Sequence, residues 1–339
     1  MKVLVYGIGV IGSLTIHELI AAGNDVTVIA RESRKSELEQ NGLKIRLGKK
    51  EFTDFPRVLS SYDGQFYDVT FSIMQNQQQD ALLETLAEVH TKYLVLVGNN
   101  MESEKMDCFL REKSTDEKNI IFAFQASGGQ RYEDYTEVVT FGRLSLTIGH
   151  LKKELEPTEK SDFKKLFCGS KMKLEYEDDM ESWYRCHAAF IIPVACLSYI
   201  YHCNLRTCTW ADVKKYITAG SEAYSFLESI GTQIRPKGDE KNLRGFRRFI
   251  LIFLMWLMFK TKLGEESVTN HCRNAVTEMQ FLDEKFEELR KKNSTFPMTE
   301  YDNLRQKRPS WEKLFREYKE VFTDFHLLEN LDLYDQILL

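Results

Sequence analysis

Proline is scarce in this chain of 339 residues, with only 6, so long helices can run without interruption. Cysteine occurs 7 times but never as C-x-x-C, an odd number without metal-type spacing. That argues against a disulfide framework or a zinc site and for reduced thiols in a cytoplasmic protein. Neither sign of charge dominates: 46 Lys and Arg are interspersed with 51 Asp and Glu, for a net charge of −5. There is no basic footprint for nucleic acid. Repeats, linkers and low-complexity segments are also missing. The continuous apolar stretch Phe249–Phe259 is 11 residues long, too short to span a bilayer as a helix, and Arg247, Arg248, Lys260 and Lys262 bracket it. A buried helix or a subunit interface, as in a homodimer, is expected there rather than membrane contact. One Lys ahead of an apolar run at the start mimics a signal peptide. A strand followed by glycines explains it better, and no export segment is expected.

That start organises the chain. Lys2–Tyr6 reads as a short apolar strand, Gly7-Ile8-Gly9-Val10-Ile11-Gly12 follows at once, and Leu14, Ile16, Leu19 and Ile20 give a helical pattern. Gly23 closes the helix, and Asp25–Ala30 is a second strand. Strand, tight turn, helix and strand within about 30 residues is the context in which G-x-G-x-x-G binds a dinucleotide. Gly7 permits the turn, Gly9 leaves room for a pyrophosphate, and Gly12 lets helix and strand pack closely. The helix N-terminus offers free N–H groups to the phosphates. NAD sites usually place an acid at the end of the second strand. Here Arg31 stands there, with Glu32 next and Arg34 and Lys35 beyond. A guanidinium suits a 2′-phosphate, so the cofactor is read as NADP(H).

At this length two domains are expected: residues 1–170, NADP-binding, and 171–339, helical, for substrate and dimerisation. The fold class is α/β, an N-terminal Rossmann-type doubly wound sheet with an all-helical C-terminal domain. Leu43–Leu47 reads as a strand, the segment to Gln65 as a hairpin-like excursion, and Tyr67–Ile73 as a buried strand. Asp80 is expected to cap a helix. Tyr93–Val97 is a buried strand ending in the polar turn Gly98-Asn99-Asn100-Met101, where open α/β sheets bind ligands. Asn119–Phe124 is the next strand. Thr136–Phe141 and Arg143–Ile148 read as strands paired across Gly142, which completes a mixed sheet of about eight strands. After a short strand at Lys171–Tyr176, helices are expected over 183–201, 210–230, 243–262, 265–292 and 309–325.

These motifs resemble the ketopantoate reductase family: the glycine turn, Gly23-Asn-Asp-Val-Thr-Val-Ile-Ala-Arg31, Asn41-Gly42-Leu43 and Gly98-Asn99-Asn100-Met101. Trp183-Tyr-Arg185 sits where the family has Trp-Asn-Lys. Thr277-Glu278-Met-Gln-Phe-Leu sits where it has Thr-Glu-Ile-Asp-Tyr-Ile, and Pro297 takes its late proline position. The resemblance spans residues 1 to about 305 and is patchy in the second half. It implies NADPH-dependent reduction of a 2-oxo acid to a 2-hydroxy acid in the cleft between domains. It also implies that Asn99 and Glu278 contact cofactor and substrate, and Ala126 the cofactor. The departures are substantial. The family's catalytic Lys falls on Arg185 when Trp183 is the anchor, and on Tyr184 when Pro193 is. Its two following Asn residues fall on Ala189 and Pro193, and a cofactor-side Lys falls on Ser72.

Hydride transfer to a carbonyl makes an alkoxide, so a proton donor must lie near the oxygen. Arg185 is a poor donor but a good carboxylate clamp. His187 can donate, with an ordinary pKa near 6.5. On a helix the two point roughly 200° apart, so both cannot face one cleft. His271 and Glu278 share a polar stripe seven residues apart, with Asn274 between them. Ser267 is a further contact candidate for cofactor or substrate. The expected site is therefore His187, Arg185 and Glu278 for catalysis, and Asn99, Arg185 and Ser267 for substrate. The cofactor contacts are Gly7–Gly12, Arg31, Ser72, Asn99, Ala126 and Glu278, with no metal. Two other readings remain open: an opine-type imine reductase, which also suits a His donor, and a non-catalytic NADP(H)-binding module, which the lost Lys and Asn residues permit.

Overall fold

In the computed structural model the described residues are 1–140, 142–293 and 296–318, with the side chains of Glu32, Leu263, Glu266 and Ser267 outside the description. The expected helix over 309–325 therefore runs partly outside it. Eight strands form the main sheet: β1 (Lys2–Tyr6), β2 (Asp25–Ile29), β5 (Arg57–Leu59), β6 (Tyr67–Ile73), β7 (Thr91–Val97), β8 (Asn119–Gln125), β11 (Ser145–Gly149) and β12 (Lys173–Glu177). Their order is β12-β11-β8-β7-β6-β1-β2-β5. All neighbours are parallel except β11 and β8. The chain leaves β1 toward β2 on one side and returns to β6 on the other. The carboxyl ends of β1 and β6 are thus the switch point at which such sheets open a crevice.

The remaining strands, β3 (Leu43–Leu47), β4 (Lys50–Asp54), β9 (Ser127–Arg131) and β10 (Thr136–Thr140), make a second sheet, β4-β3-β10-β9. It packs on α1 (Val10–Ala21), and His17 Nδ1 lies 2.8 Å from Asp54 Oδ2 across that contact. This corrects the pairing expected across Gly142. β10 pairs with β3 and β9, while β11 joins the main sheet beside β8. Periodicity locates strands but not their partners, and the polar run Ser127–Arg131 gave no apolar signal.

Helices α2 (Glu32–Asn41), α3 (Asn76–Asp80), α4 (Leu83–Glu88), α5 (Ser103–Lys113) and α6 (Pro157–Leu166) flank the main sheet. Asp80 ends α3 rather than capping a helix. β12 also hydrogen-bonds to β11, so residues 173–177, on the far side of the expected boundary at 170, belong to the sheet.

From α7 (Met180–Ile200) onward the described chain is helical: α8 (Trp210–Ser229), α9 (Gly245–Phe259), α10 (Lys262–Gly264), α11 (Asn270–Asn274), α12 (Val276–Asn293), α13 (Thr299–Lys307) and α14 (Trp311–Glu317). α7 is the hub, with α8, α12 and α13 packed around it. Asp179 caps it by accepting from Ser182 N, and Tyr184 Oη fixes it to the sheet by donating to Ala123 O of β8 at 3.0 Å. Asp283 of α12 is buried and held by Arg305 through two bonds and by Arg308 at 3.2 Å, which sets the rotation of α12. The helix expected over 265–292 is broken. A π-turn at Glu265–Thr269 precedes α11, and Ala275 (φ −133°, ψ 42°) separates α11 from α12.

Burial of α9 is also corrected. Among its residues only Ile252 and Phe259 are buried. Phe246, Phe249, Ile250, Phe253, Leu254 and Leu257 are 41–77 % exposed. Among the described residues no helix is long and apolar enough to cross a membrane.

Candidate active site

The glycine turn has the geometry that its residues require. Gly7 sits at φ +93°, and a Cβ on it would stand 2.1 Å from Ile73 O of β6. A Cβ on Gly12 would meet Gly7 O at 1.9 Å, so the close approach is to the turn's own carbonyl. Around Gly9 there is open space, with nothing within 4 Å of a Cβ. Gly9 is also the N-cap of α1 and no side chain caps that end, so the first N–H groups of the helix are available to phosphate oxygens.

Arg31 stands two residues beyond β2, the strand paired with β1, at the start of α2, and is exposed. Arg34, by contrast, donates to Glu37 at 2.6 Å, and Lys35 lies 3.9 Å from Glu39. Ala126 is exposed at the end of β8, and neighbouring Gln125 accepts from Thr15 of α1 at 2.8 Å, which brings that strand end to the glycine helix.

The polar turn after β7 carries the next group. Asn99 is 7 % exposed; its Nδ2 donates to Glu278 Oε1 of α12 at 2.7 Å, and its Oδ1 has no partner in the protein. Two further contacts tie the same edge to α12. Gln77 Nε2 donates to Thr277 O at 3.4 Å, and Lys285 Nζ lies 3.2 Å from Glu102 Oε1. Buried acceptors without partners also occur at Asn76 Oδ1 and Ser72 Oγ. An unpaired buried polar group is costly, so such atoms at strand ends mark where a ligand completes the hydrogen bonding. The open space at Gly9, the uncapped helix and the waiting Asn99 oxygen together fit a dinucleotide lying from α1 toward β7.

α7 supplies the aromatic wall. Trp183 and His187 are stacked with centroids 5.1 Å apart, and Phe124 at the end of β8 lies 4.6 Å from Trp183 and 4.5 Å from His187. This burial, with His271 adding to it, pushes the His187 imidazole down to about 4. The expectation that His187 titrates near its ordinary value is thereby corrected: at neutral pH it is an uncharged ring packed in a wall. His271 Nε2 lies 3.8 Å from Glu278 Oε2. The pair meets across the helix break at Ala275, not along one continuous helix face as expected.

Arg185 is not brought to this group. Its guanidinium donates to Glu181, which also lies 2.7 Å from Lys152, on the flank of α7 turned away from His187. A charged neighbour one helical turn away outcompetes the cleft. Ser72 is fully buried near the carboxyl end of β6; its carbonyl accepts from Gln79 at 2.9 Å, while its Oγ has no partner in the protein. Ser267 lies in the π-turn and its side chain is outside the described residues. Sequence reasoning missed Phe124, Gln77 and the Lys285–Glu102 pair. Phe124 reads as one more strand residue, and the other two carry no motif.

Residues 3–153 match the family model described as "Ketopantoate reductase PanE/ApbA". The probable 3-hydroxyisobutyrate dehydrogenase-like 3, mitochondrial, of Arabidopsis thaliana is 41% identical over 64 residues, 19% of this chain and 20% of its own length. The chain thus spans about a fifth of the length of that curated relative. A ternary structure of D-mandelate dehydrogenase with NADH and anilino(oxo)acetate superposes with TM-score 0.67 at 16% identity, covering 94% of this chain and 99% of that one. A PanE/ApbA family ketopantoate reductase from Ralstonia eutropha JMP134 gives 0.67 at 14%, covering 94% and 100%. The 2-dehydropantoate 2-reductase of Geobacter metallireducens GS-15 gives 0.69 at 14%, covering 91% and 98%. At these identities the structures share the fold, a Rossmann-type sheet followed by helices. The match to the ketopantoate reductase PanE/ApbA model is confined to residues 3–153, the part of the chain that carries the glycine turn and most of the main sheet.

Proposed function

We propose that this chain is an NADPH-dependent reductase that converts a 2-oxo acid to a 2-hydroxy acid, in the manner of 2-dehydropantoate 2-reductase, in the cleft between sheet and helices. The observation that carries this reading is the Asn99–Glu278 bond of 2.7 Å. It joins the carboxyl edge of the sheet to α12 and leaves Asn99 Oδ1 buried without a hydrogen-bond partner, which a bound ligand would supply. Exposed Arg31, two residues past β2 in the region where NAD sites place an acid, supports the phosphorylated cofactor.

A bound nicotinamide supplies the hydride. The chain's own residues do the rest. Asn99 and Glu278 hold the reacting edge, and Phe124 and Trp183 exclude water from it. In this reading His271 supplies the proton that the product oxygen takes up, with the Glu278 carboxylate 3.8 Å from its Nε2. His187, uncharged, lines the wall.

One feature favours a second reading, an opine-type imine reductase. The charged side chain bonded to Asn99 is a carboxylate, and Arg185 is not there to clamp an anionic substrate. A cationic iminium suits such a site.

The test is loss of reduced-nicotinamide absorbance against a panel of 2-oxo acids including ketopantoate, each with and without a primary amine. Turnover without amine, faster with NADPH than NADH and lost in His271→Gln, is the expected result. Amine-dependent turnover alone supports the imine reading. Dinucleotide binding with no turnover at all leaves a non-catalytic module.

A further inference from the structure

The exposed face of α9 has no role in the site described above. Phe246, Phe249, Ile250, Phe253, Leu254 and Leu257 follow the spacing i, i+3, i+4, i+7, i+8, i+11, which is one stripe on one side of a helix. They are 41–77 % exposed, while Ile252 and Phe259 on the other side are buried in the helical core. Water-exposed apolar side chains in one contiguous stripe mark an interaction surface. From Arg244 to Lys262 the sequence has five cations, Arg244, Arg247, Arg248, Lys260 and Lys262, and no Asp or Glu, in a chain whose net charge is −5. Arg244 is paired with Glu228, while Arg248 and Lys260 donate to the neutral Thr218 hydroxyl and to the Arg206 and Cys208 carbonyls and so keep their charge.

We propose that α9 is a membrane-surface anchor that lies in the plane of a bilayer rich in anionic lipid, with its apolar stripe among the acyl chains and its cations at the headgroups. Three observations choose this occupant. The cations stand at both ends of the stripe, so α9 packed on a second copy of itself, parallel or antiparallel, brings like charges together. The stripe is a ridge on a single helix with Phe246 77 % exposed, whereas an amphipathic segment docks into a groove. And α9, with 15 residues, is too short to cross a bilayer but has the apolar face and basic flanks of a helix that lies on one.

The experiment is co-sedimentation of the full chain with vesicles of equal parts phosphatidylglycerol and phosphatidylcholine, against phosphatidylcholine alone. The expected result is pelleting with the anionic vesicles and several-fold less with the zwitterionic ones. Leu254→Asp and Arg247→Glu each lower it several-fold without lowering the melting temperature, since neither side chain is in the core. Wild-type protein that stays in the supernatant with both vesicles overturns the proposal, as does equal pelleting of Leu254→Asp. Two further results would also overturn it. One is a dimer in light scattering that Leu254→Asp dissociates. The other is a cross-link, formed without lipid, from a photoreactive group at position 253 into residues 319–339 of the same chain, whose sequence is apolar and acidic.

Discussion

Asn99 and Glu278 stand 179 positions apart in the chain, yet Nδ2 and Oε1 are 2.7 Å apart. Both are nearly buried, at 7 % and 9 % exposure, so removing one costs the other its hydrogen bond in a desolvated place, with only His271 at 3.8 Å left beside Glu278. Asn99→Ala and Glu278→Ala should therefore each cost about 1–3 kcal/mol of stability. Together they should cost less than the sum, with a coupling of at least about 0.5 kcal/mol, because the second substitution removes a group that the first left stranded. Urea unfolding of the four proteins checks this. Strict additivity would mean that the bond contributes nothing to holding the two parts of the chain together.

The glycines divide by what surrounds them. A Cβ at Gly12 meets Gly7 O at 1.9 Å, while one at Gly9 meets nothing within 4 Å. Gly12→Ala should lower the melting temperature markedly, because the neighbour is backbone and cannot yield cheaply. Gly9→Ala should leave the melting temperature nearly unchanged and weaken dinucleotide binding by crowding the phosphates. Thermal melts and a binding titration separate the two effects. Intact cofactor affinity in Gly9→Ala would place the phosphates elsewhere.

Arg31 is exposed two residues beyond β2, whereas Arg34 and Lys35 lie beside Glu37 and Glu39. Arg31→Asp should weaken NADPH binding far more than NADH binding, since it replaces a phosphate donor with a ribose acceptor. Equal losses would show that Arg31 does not read the 2′-phosphate.

Much of this arrangement was legible in the sequence, for physical reasons that differ by region. The glycine turn is legible because steric demands at Gly7 and Gly12 admit no other residue, and the buried strands because their apolar runs are continuous. The strand-end turn at Asn99 follows from the sheet rule. Partner choice was not legible: Ser127–Arg131 pairs through its backbone, so its side chains carry no trace of the second sheet. Arg185 was misplaced because its environment is set by Glu181 and Lys152, residues that no cleft motif mentions. His271 and Glu278 share a stripe in the sequence, but what brings them together is the irregular backbone at Ala275, which helical periodicity does not contain.

The ion pair of Arg185 yields a contrast with the carboxylate-clamp expectation. Arg185→Gln should leave KM for the substrate and kcat close to wild type, because the guanidinium is engaged by Glu181 on the far flank of α7. It should instead cost stability, since Glu181 is 5 % exposed and would keep only Lys152 as a charged partner there. Steady-state kinetics beside a thermal melt decide the matter. A large rise in KM with unchanged stability would return Arg185 to the cleft.

Protonation of His187 ties the aromatic wall to pH. Burial, and then His271, hold its imidazole down to about 4, against an ordinary value of 6.5. Between those values the unfolded chain binds a proton at this residue and the folded chain does not. Stability therefore rises with pH across the window, and is lost as pH falls from about 6.5 toward 4. The full difference corresponds to at most about 3 kcal/mol. His187→Phe keeps a ring against Trp183 and Phe124 but removes the titration, so its melting temperature should fall less steeply than that of the wild type over the same range. Above pH 7 the two curves should run parallel. Activity should behave differently: under the proposed mechanism kcat at neutral pH survives in His187→Phe, whose ring only lines the wall, and falls in His271→Gln. If His187→Phe is as acid-sensitive as the wild type, the pH dependence arises from other groups. If it also abolishes kcat, the proton comes from His187 and the wall is part of the chemistry.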